Sequence, residues 1–289
     1  MKVINANIRT KLDTMVNRKY KRISALTLVS VFVVVIASAC GGRSETDSAK
    51  NVTKGAPEKR GEEIVGEFLK RDASPFRKIR VRFTIKAEDE PEKVYELDTW
   101  RKQTADGTTT LSQIIKPVED SDLGSLTIEQ KGQKTTVVTY AASRGEFRET
   151  DTKKMFFGGL TAGELLGEWD KFAFKFLSEK EIGGYKVFEV EGKLKSEAES
   201  VVSRMNVLFR VENYLPAEIH LFDTTGREIR TYQFSDYKEV AEHPYAAKTE
   251  VENPVYKAKI VIEILGRELP ATLDDALFTR EKLKQFVRK

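Results

Sequence analysis

The most constraining feature of this chain is a two-residue rhythm. Ile79, Val81, Phe83 and Ile85 alternate with Lys78, Arg80, Arg82 and Lys86. The rhythm returns in Phe172, Phe174 and Phe176 against Lys171 and Lys175, and in Met205, Val207, Phe209 and Val211 against Arg204, Asn206 and Arg210. It returns again in Tyr256, Ala258, Ile260, Ile262 and Ile264 against Lys257, Lys259 and Glu263. Successive side chains of a strand point to opposite faces, so each stretch reads as a strand with one apolar and one wet face. Such strands favour antiparallel sheet. Further strands fit residues 93–102, 108–116, 123–130, 134–141, 145–150, 185–191, 217–222 and 228–238. Lys131-Gly132, Gly183-Gly184 and Thr224-Thr225-Gly226 read as hairpin turns, and the connectors are too short for crossover helices. The expectation is a mainly β chain of α+β type, one large curved antiparallel sheet of about 11 strands.

Three helical pieces are available to cover an apolar face of that sheet. Residues 61–71 place Ile64, Val65, Phe68 and Leu69 on one helix face. Thr161-Ala162-Gly163-Glu164 has the capping-box pattern that opens a helix. Phe278 to Val287, with Thr279 as N-cap, supplies the third. All three are expected on the concave face.

The first 60 residues have a different character. Ile23 to Ala39 is an uncharged apolar and small-residue run behind Arg18, Lys19, Lys21 and Arg22. It reads as a secretory leader spanning residues 1–39. It ends Ser38-Ala39-Cys40, and Cys40 is the one cysteine of the chain. A cysteine at that position resembles the lipobox of bacterial lipoproteins, which implies cleavage before Cys40 and lipidation of its sulfur. Gly41 to Glu62 is poor in apolar residues and rich in Gly, Ser, Thr, Lys and Glu. Residues 40–60 therefore read as a lipid-anchored flexible tether of roughly 26 Å mean reach, and residues 61–289 as the folded domain.

Charge and chemistry exclude several classes. The leader carries seven of the chain's cations and one anion, which leaves 42 cations against 44 anions in the rest. That balance removes the case for nucleic-acid binding. The single cysteine excludes an internal disulfide framework and a multi-cysteine zinc site. His220 sits on a strand face opposite Ile219 and Leu221, and His243 precedes Pro244 in a turn; both read as surface residues. Glu119, Asp120 and Asp122 read as a solvated turn, because Ser125 and Lys131 stand where a calcium loop needs Gly and Glu. No nucleophile, acid–base or metal constellation is present. The chain reads as a non-enzyme without metal or cofactor.

A set of short motifs carries a family resemblance. They are Gly167-Glu168-Trp169-Asp170, Gly184-Tyr185-Lys186-Val187-Phe188, Tyr214-Leu215-Pro216, Asp223-Thr224-Thr225-Gly226, Ser235-Asp236-Tyr237 and Leu277-Phe278-Thr279-Arg280-Glu281-Lys282-Leu283. In this order and spacing they resemble the outer-membrane lipoprotein-sorting family, the LolA-like and LolB-like carriers, over residues 60–289. The resemblance implies an unclosed β-barrel lidded by helices around an apolar cavity that takes acyl chains of lipids or lipoproteins. Burying a methylene gains about 0.8 kcal/mol, so three long chains leaving a membrane need roughly 36 kcal/mol of compensation. The pleat places Val81, Phe83, Ile85, Phe172, Phe174, Ile260 and Ile262 inside as lipid-binding candidates, with Trp100, Phe156, Phe157 and Leu160 near the mouth. Cys40 makes an anchored member, facing the periplasm of a bacterial envelope, on the outer membrane rather than the inner. The alternative is a non-catalytic accessory lipoprotein docked on a membrane transporter or envelope complex.

Overall fold

The computed structural model describes residues 55–71, 74–152, 157–196, 198 and 200–287. Cys40, the leader, most of the tether and Phe156 lie outside them. The strands are β1 (Phe76–Ala87), β2 (Lys93–Thr104), β3 (Gly107–Lys116), β4 (Leu123–Gln130), β5 (Thr136–Ala141), β6 (Glu146–Thr150) and β7 (Phe172–Ile182). They continue with β8 (Tyr185–Leu194), β9 (Arg204–Arg210), β10 (Pro216–Phe222), β11 (Glu228–Val240), β12 (His243–Asn253) and β13 (Ala258–Glu268). They form one 13-stranded sheet in the order β6-β5-β4-β3-β2-β1-β13-β12-β11-β10-β9-β8-β7. Every pairing is antiparallel, and β6 and β7 remain as open edges. The expected class stands, with more strands than the expected 11.

The strand that sequence reading missed is β12. Its buried positions are Ala247, Thr249, Val251 and Asn253, of which only Val251 is a larger apolar residue, so they give little apolar rhythm. His243, expected in a turn, opens it. Tyr256, expected to begin the last strand, is an exposed turn residue, and β13 starts at Ala258.

Helix α1 (Ala56–Arg71) begins before residue 61, so residues 56–60 of the expected tether are helical. Pro57 explains the early start, because proline at a first helical turn loses no hydrogen bond and has its φ already set. Ile64, Val65 and Phe68 of α1 join the main core with Val81, Phe83, Trp169, Phe209 and Ile260. We call the sheet face carrying this core the inner face. Helix α1 also covers the open edge at β7, where the Phe174 N–H donates to Glu62 Oε1 at 3.2 Å. A covered edge does not recruit another strand. Gly61 allows the close approach, since a Cβ there would stand 2.7 Å from backbone atoms of Lys175 and Phe176.

The short helix α2 (Ala162–Leu166) has the expected capping box, with Thr161 Oγ1 accepting from the Glu164 N–H at 3.1 Å and Glu164 Oε2 accepting from the Thr161 N–H at 2.7 Å. Helix α3 (Arg280–Phe286) is N-capped by Thr279 as expected, but it lies on the other side of the sheet. Its Leu283, with Val287, packs on Leu111, Leu126, Val138 and Tyr140. Gly124 is the seat: a Cβ there would meet Leu283 and Val287 side chains at 2.7 Å. Gln113 Nε2 donates to the Phe286 carbonyl at 2.7 Å and fixes the helix end. The inner core runs along the whole sheet, and α3 adds a second cover on the outer face of β3–β5.

Candidate functional site

The inner face gathers most of the residues expected there. Val81, Phe83, Ile85, Phe172, Phe174, Ile260, Ile262 and Leu160 are all buried in the main core. Register explains the contacts along the seam, because Phe83 is paired with Ile262 and Ile85 with Ile260. Trp100 is the exception. It follows the Lys78 position on the outer face and packs 5.1 Å from the Phe286 ring, so it is no part of an inner mouth. The alternation of β2 puts Leu97 and Thr99 inside and therefore Trp100 outside.

Residues 157–167 cross the inner face as a strap. The turn Phe157–Gly159 contains Gly158 at φ 62° and Gly159 at φ 83°, conformations that glycine alone adopts freely. Gly158 lies so close to β13 that a Cβ would meet Ile260 Cδ1 at 2.7 Å. Asn253 Nδ2 donates to the Gly158 carbonyl at 2.6 Å, and Arg230 donates to the Gly159 carbonyl. The two strands that carry Arg230 and Asn253, β11 and β12, thus hold the strap by its backbone.

A buried ion pair fixes the far end of the strap. Arg230 Nε lies 3.2 Å from Glu164 Oε1, with side chains 4% and 3% exposed. Arg230 Nη1 also donates to Asn253 Oδ1 at 2.8 Å. One carboxylate therefore closes the cap of α2 and neutralises a guanidinium at once. Burial pushes the neighbouring Tyr232 phenol well above its ordinary value, and the Glu164 charge adds to the effect. Breaking one partner of such a pair leaves a buried charge, which is the costly way to lose it. Sequence reading found Glu164 as a cap and missed Arg230 and Tyr232, whose partners lie far away in the chain.

Under α2 lies a cavity of ≈ 70 Å³ lined by Trp169, Phe172, Met205, Ile219, Leu221 and Tyr232. The space next to it is filled by the chain's own aromatics. Trp169 stands 5.1 Å from Phe68, 5.8 Å from Phe174 and 6.1 Å from Phe209. The two histidines stand apart from this site. His220 contacts Glu228 at 2.6 Å and Glu218 at 3.3 Å, and His243 Nδ1 meets the Arg71 carbonyl at 3.0 Å. Among the described residues, no group of three His, Cys, Asp or Glu side chains is placed to hold a metal ion.

An open antiparallel sheet wrapped on an apolar inner face, with helices against it, is the LolA-like fold. The chain superposes on a DUF1329 family protein from Desulfovibrio piger with a TM-score of 0.73 and 18% identity, over 78% of this chain and 99% of that one. A proposed outer membrane lipoprotein-sorting protein domain from Vibrio parahaemolyticus gives 0.71 and 16%, over 78% and 99%. A LolA superfamily protein from Nitrosomonas europaea gives 0.62 and 12%, over 76% and 98%. Residues 106–285 match the model of a family described as uncharacterized protein-like, and the chain belongs to that family. No curated protein matches the chain.

Proposed function

We propose that this protein is a non-catalytic, lipid-anchored protein of the bacterial cell envelope that accepts acyl chains of a lipid or lipoprotein on its inner sheet face. The observation that carries the reading is the apolar cavity between α2 and the floor of Phe172, Met205, Ile219 and Leu221. At ≈ 70 Å³ it is far below the roughly 300–1,000 Å³ of a ligand site, so loading requires the strap to lift. The strap is held by the Arg230–Glu164 pair, by side-chain hydrogen bonds to the Gly158 and Gly159 carbonyls and by Leu160 and Leu165 in the main core rather than by a full strand ladder, so lifting it breaks these contacts together. Phe157 opens the strap's first turn, and Phe156 is proposed to precede it at the mouth.

In this reading residues 1–39 are a lipoprotein signal, Cys40 carries the acyl anchor, and the tether runs to Gly55, just before α1. The domain faces the periplasm from the outer membrane. The LolA-like fold supports a carrier-like role, and the sorting role in the name of the Vibrio protein is consistent with it. A second reading, an accessory lipoprotein docked on a membrane complex, is favoured by the packing of Phe68, Trp169 and Phe209 into the same face.

Titration with a fluorescent fatty-acyl probe separates the two. Saturable binding that is weakened by Ile219→Asp on the cavity floor supports acyl capture. A protein that takes up no probe while its partner complex pulls it down supports docking.

A further inference from the structure

The inner face changes character along its strands. At one level it is apolar, with Val81 beside Leu97 and Leu97 beside Ile114. One step along, register sets Thr99, Ser112, Ser125 and Thr139 side by side across β2–β5. The next row holds Arg77, Arg101, Thr110 and Thr127 across β1–β4. All eight side chains are between 1 and 3% exposed. Strand geometry makes the two rows a patch about 7 Å by 14 Å.

The patch is not closed on itself. Thr99 and Ser112 share a hydrogen bond of 3.2 Å, and Thr139 Oγ1 donates to the Arg148 carbonyl at 3.2 Å. Arg101 Nη2 donates to Gln103 Oε1 at 3.2 Å. The hydroxyls of Thr110 and Ser125, by contrast, are buried without a hydrogen-bond partner among the described residues. Each carries an uncompensated desolvation cost. Packing alone does not call for them: Val137 fills the next position of the same row, beside Thr127, with a side chain of the same shape. The helix α3 that packs on β4 lies on the opposite face and does not account for them.

We infer that this hydroxyl and guanidinium patch binds the phosphate of an anionic amphiphile, whose acyl chain runs onto the adjoining Val81–Leu97–Ile114 row. The inference rests on the acyl-binding reading above and adds the head-group chemistry to it. Serine and threonine hydroxyls donate to phosphate oxygens, and a guanidinium binds them in a two-point fork. Arg77 and Arg101 face each other across β1 and β2, which gives this end of the patch its positive sign. Glu129, opposite Thr108 one row further, is the nearby carboxyl, with Arg101, Glu168 and Asp170 acting on it. Burial pushes it up to about 7, so near neutrality part of it offers a proton instead of opposing an anion.

The test uses the full chain kept soluble in amphipol and isothermal titration with three probes: dihexanoylphosphatidylglycerol, neutral dihexanoylglycerol and inorganic phosphate. The expected result is phosphatidylglycerol binding at least tenfold tighter than the neutral diacylglycerol, with inorganic phosphate a weak competitor. Thr110→Val, which keeps the shape, and Ser125→Ala, which removes the hydroxyl without adding bulk, are expected to remove that preference while neutral binding stays and thermal stability holds or rises. Equal affinity for the phosphatidylglycerol and the neutral lipid overturns the head-group site and leaves acyl binding standing. Tight inorganic phosphate with no neutral-lipid binding keeps the phosphate site and removes the acyl reading. Binding of none of the three overturns both. A phosphatidylglycerol preference untouched by Thr110→Val and Ser125→Ala overturns the location.

Discussion

Replacing Glu129 by Gln should change the pH dependence of stability in a defined direction. The carboxyl lies on the inner face of β4, and its Oε1 is buried with no hydrogen-bond partner among the described residues. Burial raises it from 4.5 to about 7; Arg101 pulls it down, and Glu168 and Asp170 push it further up. Such a difference corresponds to about 3 kcal/mol, which the partial exposure of the rest of the side chain lowers to about 2 kcal/mol. The folded state holds its proton more tightly than the unfolded state. Below pH 4.5 both states are protonated and Glu129 contributes no pH dependence. Between 4.5 and about 7 the unfolded chain releases the proton first, so stability falls as pH rises; above about 7 the loss is complete. Glutamine keeps the shape and never ionises. Urea unfolding of both proteins across pH 5–8 should give near-equal stabilities at the acid end and a Gln variant more stable by about 2 kcal/mol at the basic end. A difference that does not vary with pH would refute the argument.

Other perturbations follow from packing and charge. Gly61→Ala drives a methyl into the β7 backbone and should cost about 1–3 kcal/mol in thermal unfolding, whereas Gly66→Ala, with nothing within 4 Å, should be neutral or stabilising by under about 1 kcal/mol. Arg230→Met leaves Glu164 buried without its cation and should cost about 3–5 kcal/mol; adding Glu164→Gln should recover part of it in a double-mutant cycle. Cys40→Ala should move the protein from the membrane fraction to the soluble one and remove the acyl mass from the mature N-terminus, as read by fractionation and mass spectrometry.

Strands with charged outer positions were legible, because Lys78, Arg80, Arg82 and Lys86 of β1 and Lys259 and Glu263 of β13 fix the wet side. The face chosen by α3 was not. Its amphipathic pattern shows one apolar stripe but says nothing about which side of the sheet receives it. A signal existed in β5, where Val137 and Val138 are consecutive and both buried, as a strand covered on both faces requires. The inner hydroxyl rows escaped notice for the opposite reason. Thr110, Thr127 and Ser125 look like the wet side of a strand, and only register across four strands shows them enclosed. Glu164 was legible as a cap through its local spacing to Thr161. Its pairing with Arg230 depends on the strap crossing the sheet, and no local pattern encodes that.

The strand order sets a sequence of assembly. Each half of the sheet is a meander whose strands meet their neighbours as they emerge, but β1 meets β13 only across the whole domain: Lys78 and Glu268, joined by a hydrogen bond at 3.0 Å, are 190 residues apart. Until β13 arrives, the first meander has a bare flank on the strand that carries Val81, Phe83 and Ile85. Closing that gap is the long-range, slow event of folding. A chain delivered from its N-terminus therefore passes through a half-sheet that is sticky at what becomes the middle of the finished molecule, and its exposure to aggregation or to a chaperone is set by how long the second meander takes to reach it.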